Sequence, residues 1–429
     1  MTTVDGHRAG ALPYRRLIMN GPLPQRAVMA PSDASTVTSL RQRNRAVVLK
    51  HILLRGETTR AEIVAEIGLS AASAANIVVE LIDDGLVEER GSKSSRGGRP
   101  ITIVGPRTDA AVIVGIDVGE RGVAAELFDL SMNQIDREFR GGHEAETAPR
   151  IAADIAAALD ALRSRHPARW GTLVGVGLGL PGIVETDADG IQTVYAQSLG
   201  WEPVAVTRLC AVDAVPVIAE NGATLQARAE LWFGNAKDSQ HAIVAQMGRG
   251  IGMGLVINGE IATGSRSSAT EWGHTTLQVG GALCRCGNRG CVEAYLGADA
   301  ILRRWKDTGA DVPGSGWSAL GALIDSAEED PAARALIIRV IDELGAALGS
   351  MVNLNNPERV LIGGWVGERL LAAYAEEIDA AITAHALHRP ASQYRLMGTR
   401  FAGDSVAVGA GLLPLDALIT TGWTVARAG

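Results

Sequence analysis

Between Glu271 and Glu293 the chain reads EWGHTTLQVGGALCRCGNRGCVE. This stretch holds His274, Cys284, Cys286 and Cys291, and of the chain's 4 cysteines only Cys210 lies elsewhere. A structural zinc site takes four soft or borderline ligands in a closed tetrahedron, and Cys3His supplies them. Gly287 and Gly290, between the thiols, let the backbone turn tightly enough to aim all three sulfurs at one point. The alternatives are three free thiols in a loop, or a catalytic zinc. The spacing argues against the first, and four protein ligands leave no open position for the second. The expectation is one structural Zn2+ on His274, Cys284, Cys286 and Cys291.

The same residues carry a resemblance. Glu271-Trp-Gly-His274, followed by Cys-Arg-Cys-Gly-Asn-Arg-Gly-Cys-Val-Glu, resembles the ExGH and CxCGxxGCxE motif pair of the ROK family (repressors, open reading frames, kinases). The likeness runs over roughly residues 40–420. It implies zinc on the His and the three Cys, and a sugar pocket lined by Glu271, His274 and Glu293. His274 would serve both, with one ring nitrogen on the metal and the other toward the sugar, as metal-bound histidines commonly have a second partner. Asn221 and Gly182 of the LPG turn complete the implied effector pocket.

The elements that must position these residues begin at Ala111. AVIVGIDVG reads as a buried strand closing on Asp117 and Gly119. The plan repeats in GTLVGVGLGLPG (171–182), in VPVIAENGA (215–223) and from Gln240 to Ile261. Two strand-rich α/β lobes around a cleft follow. The resemblance makes this the actin-like, sugar-kinase (ribonuclease H-like) ATPase fold. Hydrophobic residues make up 47% and charged residues 21%, which is globular, and no apolar run reaches the length of a membrane span. Clustered rather than framework cysteines imply a reducing compartment, so the expected location is cytoplasmic, with the nucleoid.

Charge is uneven. Residues 1–100 hold 14 Lys+Arg against 10 Asp+Glu, whereas the whole chain is −8. A basic end on an acidic body suggests that this end meets an anion. Residues 1–38, with four prolines and no sustained period, read as a disordered arm. Residues 39–104 read as a domain. Val47, Val48, Ile52 and Leu53 fall on a helical period. Thr59 and Glu62 form a capping box for a helix over Arg60–Ile67. Ser70 caps a third helix that runs to about Asp84 and is stopped by Gly85. Two strands, Leu86–Arg90 and Pro100–Val104, flank the loop GSKSSRGGR. Three helices and a two-stranded wing make a winged helix-turn-helix, and TTRAEIVAEIGLSAASAANIVVELIDDGLVEE resembles the DNA-binding domain of ROK regulators. The competing reading is a helical protein-interaction domain. In the DNA-binding reading Ala71, Ala72, Ser73, Ala75 and Asn76 face the major groove, while Ile77, Val78 and Leu81 face the core. Arg41, Arg43, Arg45 and Lys93 supply phosphate charge, and Arg96 and Arg99 of the wing reach a minor groove.

The family's kinases need four elements that this chain alters. The first phosphate loop, usually DxGGT, reads Asp117-Val-Gly119-Glu120-Arg121, with a carboxylate where phosphate would lie. The second, usually GTGIG, reads Gly248-Arg249-Gly250-Ile251-Gly252. The adenosine loop, usually IGGG, reads Ile362-Gly363-Gly364-Trp365, where an indole should fill nucleotide space. The general base of the END motif is replaced in Glu220-Asn221-Gly222 by a residue with no side chain to accept a proton. Ser198 stands where the family usually has Asn. Space freed by Gly222, with Arg249 nearby, would suit a larger or phosphorylated sugar; the opposing reading is an empty structural cleft.

The expected protein is therefore not an enzyme. It is a ROK-family transcriptional regulator, a repressor of carbohydrate-related genes, with residues 105–429 as its two-lobed effector-binding and oligomerisation body. Its expected partners are a palindromic DNA operator, a carbohydrate-type effector and further copies of itself, with no membrane. A sugar kinase with an N-terminal extension is the alternative, and a scaffold binding neither DNA nor sugar is the third.

Overall fold

The computed structural model describes residues 37–94, 100–119, 121–142 and 147–421. Local signals set the first elements. Helix α1 spans Val37–Arg55. The pair Thr58–Thr59 forms a short strand, β1, before α2, Arg60–Ile67. The side chain of Thr59 accepts from Glu62 N, and the Glu62 carboxylate accepts from Thr59 N at 2.7 Å, which completes the capping box. Gly68 ends α2 at φ 78°, a left-handed position that costs glycine least. Ser70 caps α3, Ala71–Asp83. Strands β2, Val87–Lys93, and β3, Ile101–Pro106, form the wing. β1 pairs with β3 through Thr58↔Val104, so the head's sheet has three strands rather than the two expected.

The body follows the expected plan. β4 (Val112–Gly119), β5 (Gly122–Asp129) and β6 (Gln134–Gly141) form an antiparallel meander. α4, Ala148–Arg165, covers it. β7 (Leu173–Leu180) then joins β4 in parallel, a small sheet is built from β8 (Ile183–Thr186), β9 (Gln192–Tyr195) and β10 (Val204–Ala205), and β11 (Val217–Asn221) joins β7 in parallel. The first lobe's sheet is thus ordered β11-β7-β4-β5-β6.

Helix α5, Gly222–Phe233, leads to the second lobe. Its sheet, ordered β14-β13-β12-β15-β16, uses β12 (His241–Met247), β13 (Ile251–Ile257), β14 (Glu260–Ile261), β15 (Arg359–Gly363) and β16 (Arg395–Gly398). Helices α6 (Ala298–Asp307), α7 (Gly316–Ser326), α8 (Pro331–Asn355) and α9 (Gly364–His385) pack on this lobe. The chain then returns to the first lobe as α10, Ser405–Thr421.

Glycines fix how close the interlobe helices sit. A Cβ at Gly115 or Gly177 would overlap the carbonyl oxygens of Ala407 or Ala410, so α10 lies almost directly on β4 and β7. A Cβ at Gly254 would overlap that of Ala227, so α5 lies as closely on β13.

From Gln42 onward the chain forms one compact unit. The head's core and the body's edge are continuous: Val48, Leu49, Ile52 and Leu53 of α1 and Ile77, Val78 and Leu81 of α3 share one buried cluster with Trp232, Leu415, Leu418 and Ile419. Val47, expected on the buried face of α1, is exposed, and Leu49 takes its place. The helix extends further at its N-terminal end than the sequence suggested, from Val37 rather than Arg41, and this overruns the expected limit of the arm. The rest of the arm lies outside the described residues. No helix among those described is long and apolar enough to cross a membrane.

Candidate functional site

The metal-type cluster forms as the spacing requires. The ligand atoms of His274, Cys284, Cys286 and Cys291 all lie within 4.8 Å of one another. Cys286 Sγ and Cys291 Sγ are 3.8 Å apart, and Cys284 Sγ is 3.7 Å from His274 Nδ1. A tetrahedron with Zn–S bonds of about 2.3 Å has S···S edges of about 3.8 Å, so this donor set fits zinc. Gly287 (φ 92°) and Gly290 (φ 81°) turn the loop in the left-handed region, and a Cβ at Gly290 would overlap Gln278 O. Burial pushes the Cys284 thiol up to about 12 and raises Cys291 as well. A bound cation is the counter-charge that lets such thiols ionise.

The cluster and the cleft share a wall. His274 presents Nδ1 to Cys284, which leaves Nε2 on the other side of the ring. Gly273 of the ExGH turn sits where a Cβ would overlap Ile251 O, so this turn is pressed onto the start of β13. Burial raises the Glu271 carboxyl; nearby His274 opposes that shift and Glu293 adds to it, so the three groups act on one another. Glu293 is buried, with a side chain 7% exposed. Its Oε2 accepts from Ile251 N at 3.0 Å, and Arg285 Nη2 lies 3.2 Å from its Oε1. Arg285 also donates to Arg249 O at 3.3 Å. It therefore ties the Cys loop to the Gly248–Gly252 turn. Sequence reasoning passed over Arg285, whose only sequence signal is its place between two metal-type cysteines.

Asn221 and Gly182 are brought together with each other. Asn221 Nδ2 donates to Gly182 O at 2.7 Å. Its Oδ1 accepts from Ala223 N at 2.8 Å and caps α5, a role the sequence analysis missed. A Cβ at Gly222 would stand 3.7 Å from Val406 and 4.0 Å from Gln246 Oε1, both ordinary contact distances. The room beside Gly222 is thus bounded by Val406 and Gln246, and Gln246 is a further polar group at the cleft. The Arg249 guanidinium, read as able to tolerate an anion near the space at Gly222, pairs with Asp299 at 3.1 Å.

In the stretch Ile362-Gly363-Gly364-Trp365, Trp365 is half-buried on the first turn of α9. Its ring centroid lies 6.4 Å from that of Trp317, over which Arg369 stacks at 4.2 Å. Side chains of this protein therefore fill the surroundings of that loop. Glu120 lies outside the described residues, and of Ser198 only the backbone is described.

On the head, Ala71, Ala72, Ser73 and Asn76 are exposed along one face of α3 and Ala75 is half-buried, while Ile77, Val78 and Leu81 are in the core. Arg43 and Lys93 are exposed, but Arg45 is committed to Asp84 at 2.6 Å, so its charge is already balanced. Arg96 and Arg99 lie outside the described residues.

A two-lobed, sugar-kinase-type body joined to a winged-helix head defines the class. The chain belongs to the ROK family, whose model matches residues 113–417. It is 30% identical over 335 residues to a putative xylose repressor of Caldicellulosiruptor sp. (strain Rt8B.4), covering 76% of this chain and 83% of that protein. It is 29% identical over 315 residues to a glucokinase of Halalkalibacterium halodurans, covering 70% of this chain and 94% of the kinase. The crystal structure of a ROK family transcriptional regulator, a homologue of the Escherichia coli MLC protein, shares its fold with a TM-score of 0.72 at 23% identity, covering 89% of this chain and 98% of that one.

Proposed function

We propose that this protein is a DNA-binding transcriptional regulator, a repressor of carbohydrate-related genes, that responds to a sugar or sugar-derived effector in a degenerate kinase cleft. The observation that carries this reading is the union of two features: an exposed helix start on a winged-helix head, and a body with Gly222 where a kinase needs its general base. A kinase has no use for the first and cannot work with the second.

In this reading residues 39–104 are the DNA-binding domain and residues 105–429 the effector-binding and oligomerisation body. Asn76 pairs with an adenine edge, and Ala71, Ala72, Ser73 and Ala75 line the groove, their methyl groups suited to thymine methyls. Arg96 and Arg99 contact the flanking minor groove. Asn221, Gly182, Glu271, His274 and Glu293 hold the effector's hydroxyls. A structural Zn2+ on His274, Cys284, Cys286 and Cys291 stiffens the wall that carries three of these groups, and it leaves no coordination position for catalysis. A homodimer presents two heads to a palindromic operator.

The test is a titration of the protein's complex with a palindromic duplex, selected from a random library by the full-length chain. D-xylose, D-glucose, N-acetylglucosamine and their phosphates are the probes. At least one is expected to change operator affinity roughly 5- to 150-fold, the range of ordinary allosteric coupling. Glu271→Gln removes a charge while keeping shape and should abolish the response. It is a cleaner probe than truncating Glu293, which holds Ile251 N. The same sugars with ATP should release no ADP at the rate of ordinary kinases, about 1–100 per second. Turnover of that size, or an undiminished response in Glu271→Gln, rejects the reading.

A further inference from the structure

Two helices cross between the lobes, and the head rests on the ends of both. α10 belongs to the first lobe, because Gly115 and Gly177 bring β4 and β7 into backbone contact with it. α5 belongs to the second, because Gly252 and Gly254 of β13 receive Ala223 and Ala227. The two helices touch at Gly409, where a Cβ would overlap Leu225 O. A change in the angle between the lobes is therefore a change in the angle between α5 and α10 about that point.

α5 begins in the effector cleft. Its cap, Asn221, also donates to Gly182 O. Its last turn meets the head. Lys50 of α1 lies with Nζ 4.2 Å from the centroid of the Trp232 ring. Just beyond α5, Lys237 Nζ donates to Leu54 O at 3.3 Å. Burial works against the Lys50 charge and lowers its pKa, while Asp416 of α10 and Glu260 of β14 favour the charge and Arg228 of α5 opposes it. The pairing is loose: Arg228 Nη1 stands 3.8 Å from Asp416 Oδ2, and Arg228 Nε is buried with no hydrogen-bond partner among the described residues. An arrangement satisfied this incompletely is one that a second arrangement can replace at low cost, which a switch requires.

We propose that α5 is the lever that reports the state of the effector cleft to the DNA-binding head, and that Lys50, whose ammonium lies over the Trp232 ring of α5, is the positioning residue that reads its movement. This rests on the regulator reading given above. Lys50 sits outside both the effector pocket and the groove-facing set, and it acts by fixing where α1 lies. A cation over an aromatic face keeps its attraction only while the ring stays beneath it, so a shift of the last turn of α5 releases or reseats α1.

A crosslink fixes the lobe arrangement without any ligand. Ser268 Oγ of the second lobe and Glu185 Oε1 of β8 already meet at 3.4 Å, so the thiols of the double variant Glu185→Cys, Ser268→Cys, set back by the shorter side chain, can be joined by a short bis-maleimide to hold the lobes together. Zinc content is checked before and after crosslinking. Operator affinity is measured on the selected duplex, and amide exchange over residues 46–54 is measured with no DNA present. With Lys50 in place, the crosslink should change operator affinity by about 5-fold or more and alter exchange in this segment. With Lys50→Met both effects should fall away, the affinity change to less than about 2-fold, and Lys50→Arg, which keeps the cation, should restore them. Two results overturn the lever: equal responses with Lys50→Met, or exchange over 46–54 that ignores the crosslink in every background. Failure to bind any duplex, with the exchange response intact, counts against the regulator reading and leaves the lever standing.

Discussion

Ala72→Glu is expected to reduce operator binding to the level of random DNA, a loss of at least about 1,000-fold given the usual gap between specific and non-specific affinity. Ala72 is exposed on the face of α3 that also carries Ser73 and Asn76, and it makes no contribution to the buried cluster. A carboxylate in the first turn suits the helix itself, because it meets the positive end of the macrodipole. The fold should therefore be unaffected, within about 0.5 kcal/mol, as for an ordinary surface change. In the groove the same carboxylate faces base edges and lies between two rows of phosphates, so repulsion replaces a methyl contact. Fluorescence anisotropy on the selected duplex measures the loss, and a thermal melt checks the fold. Retention of specific binding by a stably folded Ala72→Glu protein would falsify the placement of α3 in the groove. Such a point variant serves better than excision of residues 1–104. The head covers Trp232, Leu415, Leu418 and Ile419, and stripping it away would expose them.

Cys284→Ser is expected to lose the metal and to destabilise the second lobe by at least about 3 kcal/mol, a fraction of the roughly 10–16 kcal/mol that structural zinc supplies in finger peptides. The loop forms no helix or strand of its own. Between Thr275 and Val292 its backbone order consists of turns and the isolated bridges Thr276↔Cys291 and Leu283↔Arg289. The lesion should reach the cleft, because Cys284 lies 3.7 Å from Glu293 Oε1 and from His274 Nδ1. Elemental analysis should find one zinc per wild-type chain and less than about half as much in the variant. Wild-type affinity for zinc should fall as pH falls. Burial raises the free Cys284 and Cys291 thiols, so metal entry must displace their protons, and that becomes harder as protons become more abundant. Full zinc content in Cys284→Ser, or an unchanged melt, would count against a four-ligand structural site.

What the sequence by itself determined is what physical chemistry writes locally. The capping box of Thr59 and Glu62, the Ser70 cap, the Gly85 stop after α3 and the two glycines of the Cys loop all act within one or two turns of chain, so residue type and spacing suffice. The loss of the general base at Gly222 is equally legible, since a missing side chain needs no fold to be missing. The two lobes and their main strands follow from apolar runs that end at glycine turns. The tertiary structure decided what depends on partners far away in the chain. Arg45 reads as a free phosphate contact until it is found on Asp84, 39 residues away. Arg249 reads as an anion site until it is found on Asp299, 50 residues away. Val47 and Leu49 both suit a helix, and only the body beneath α1 decides which is buried. Asn221 reads as a sugar ligand, and only the fold shows that the same carboxamide caps the helix leading to Trp232 and Lys50. Charge and burial are set by the sum of neighbours in space, and most of those neighbours come from other elements, which one chain read in order does not bring together.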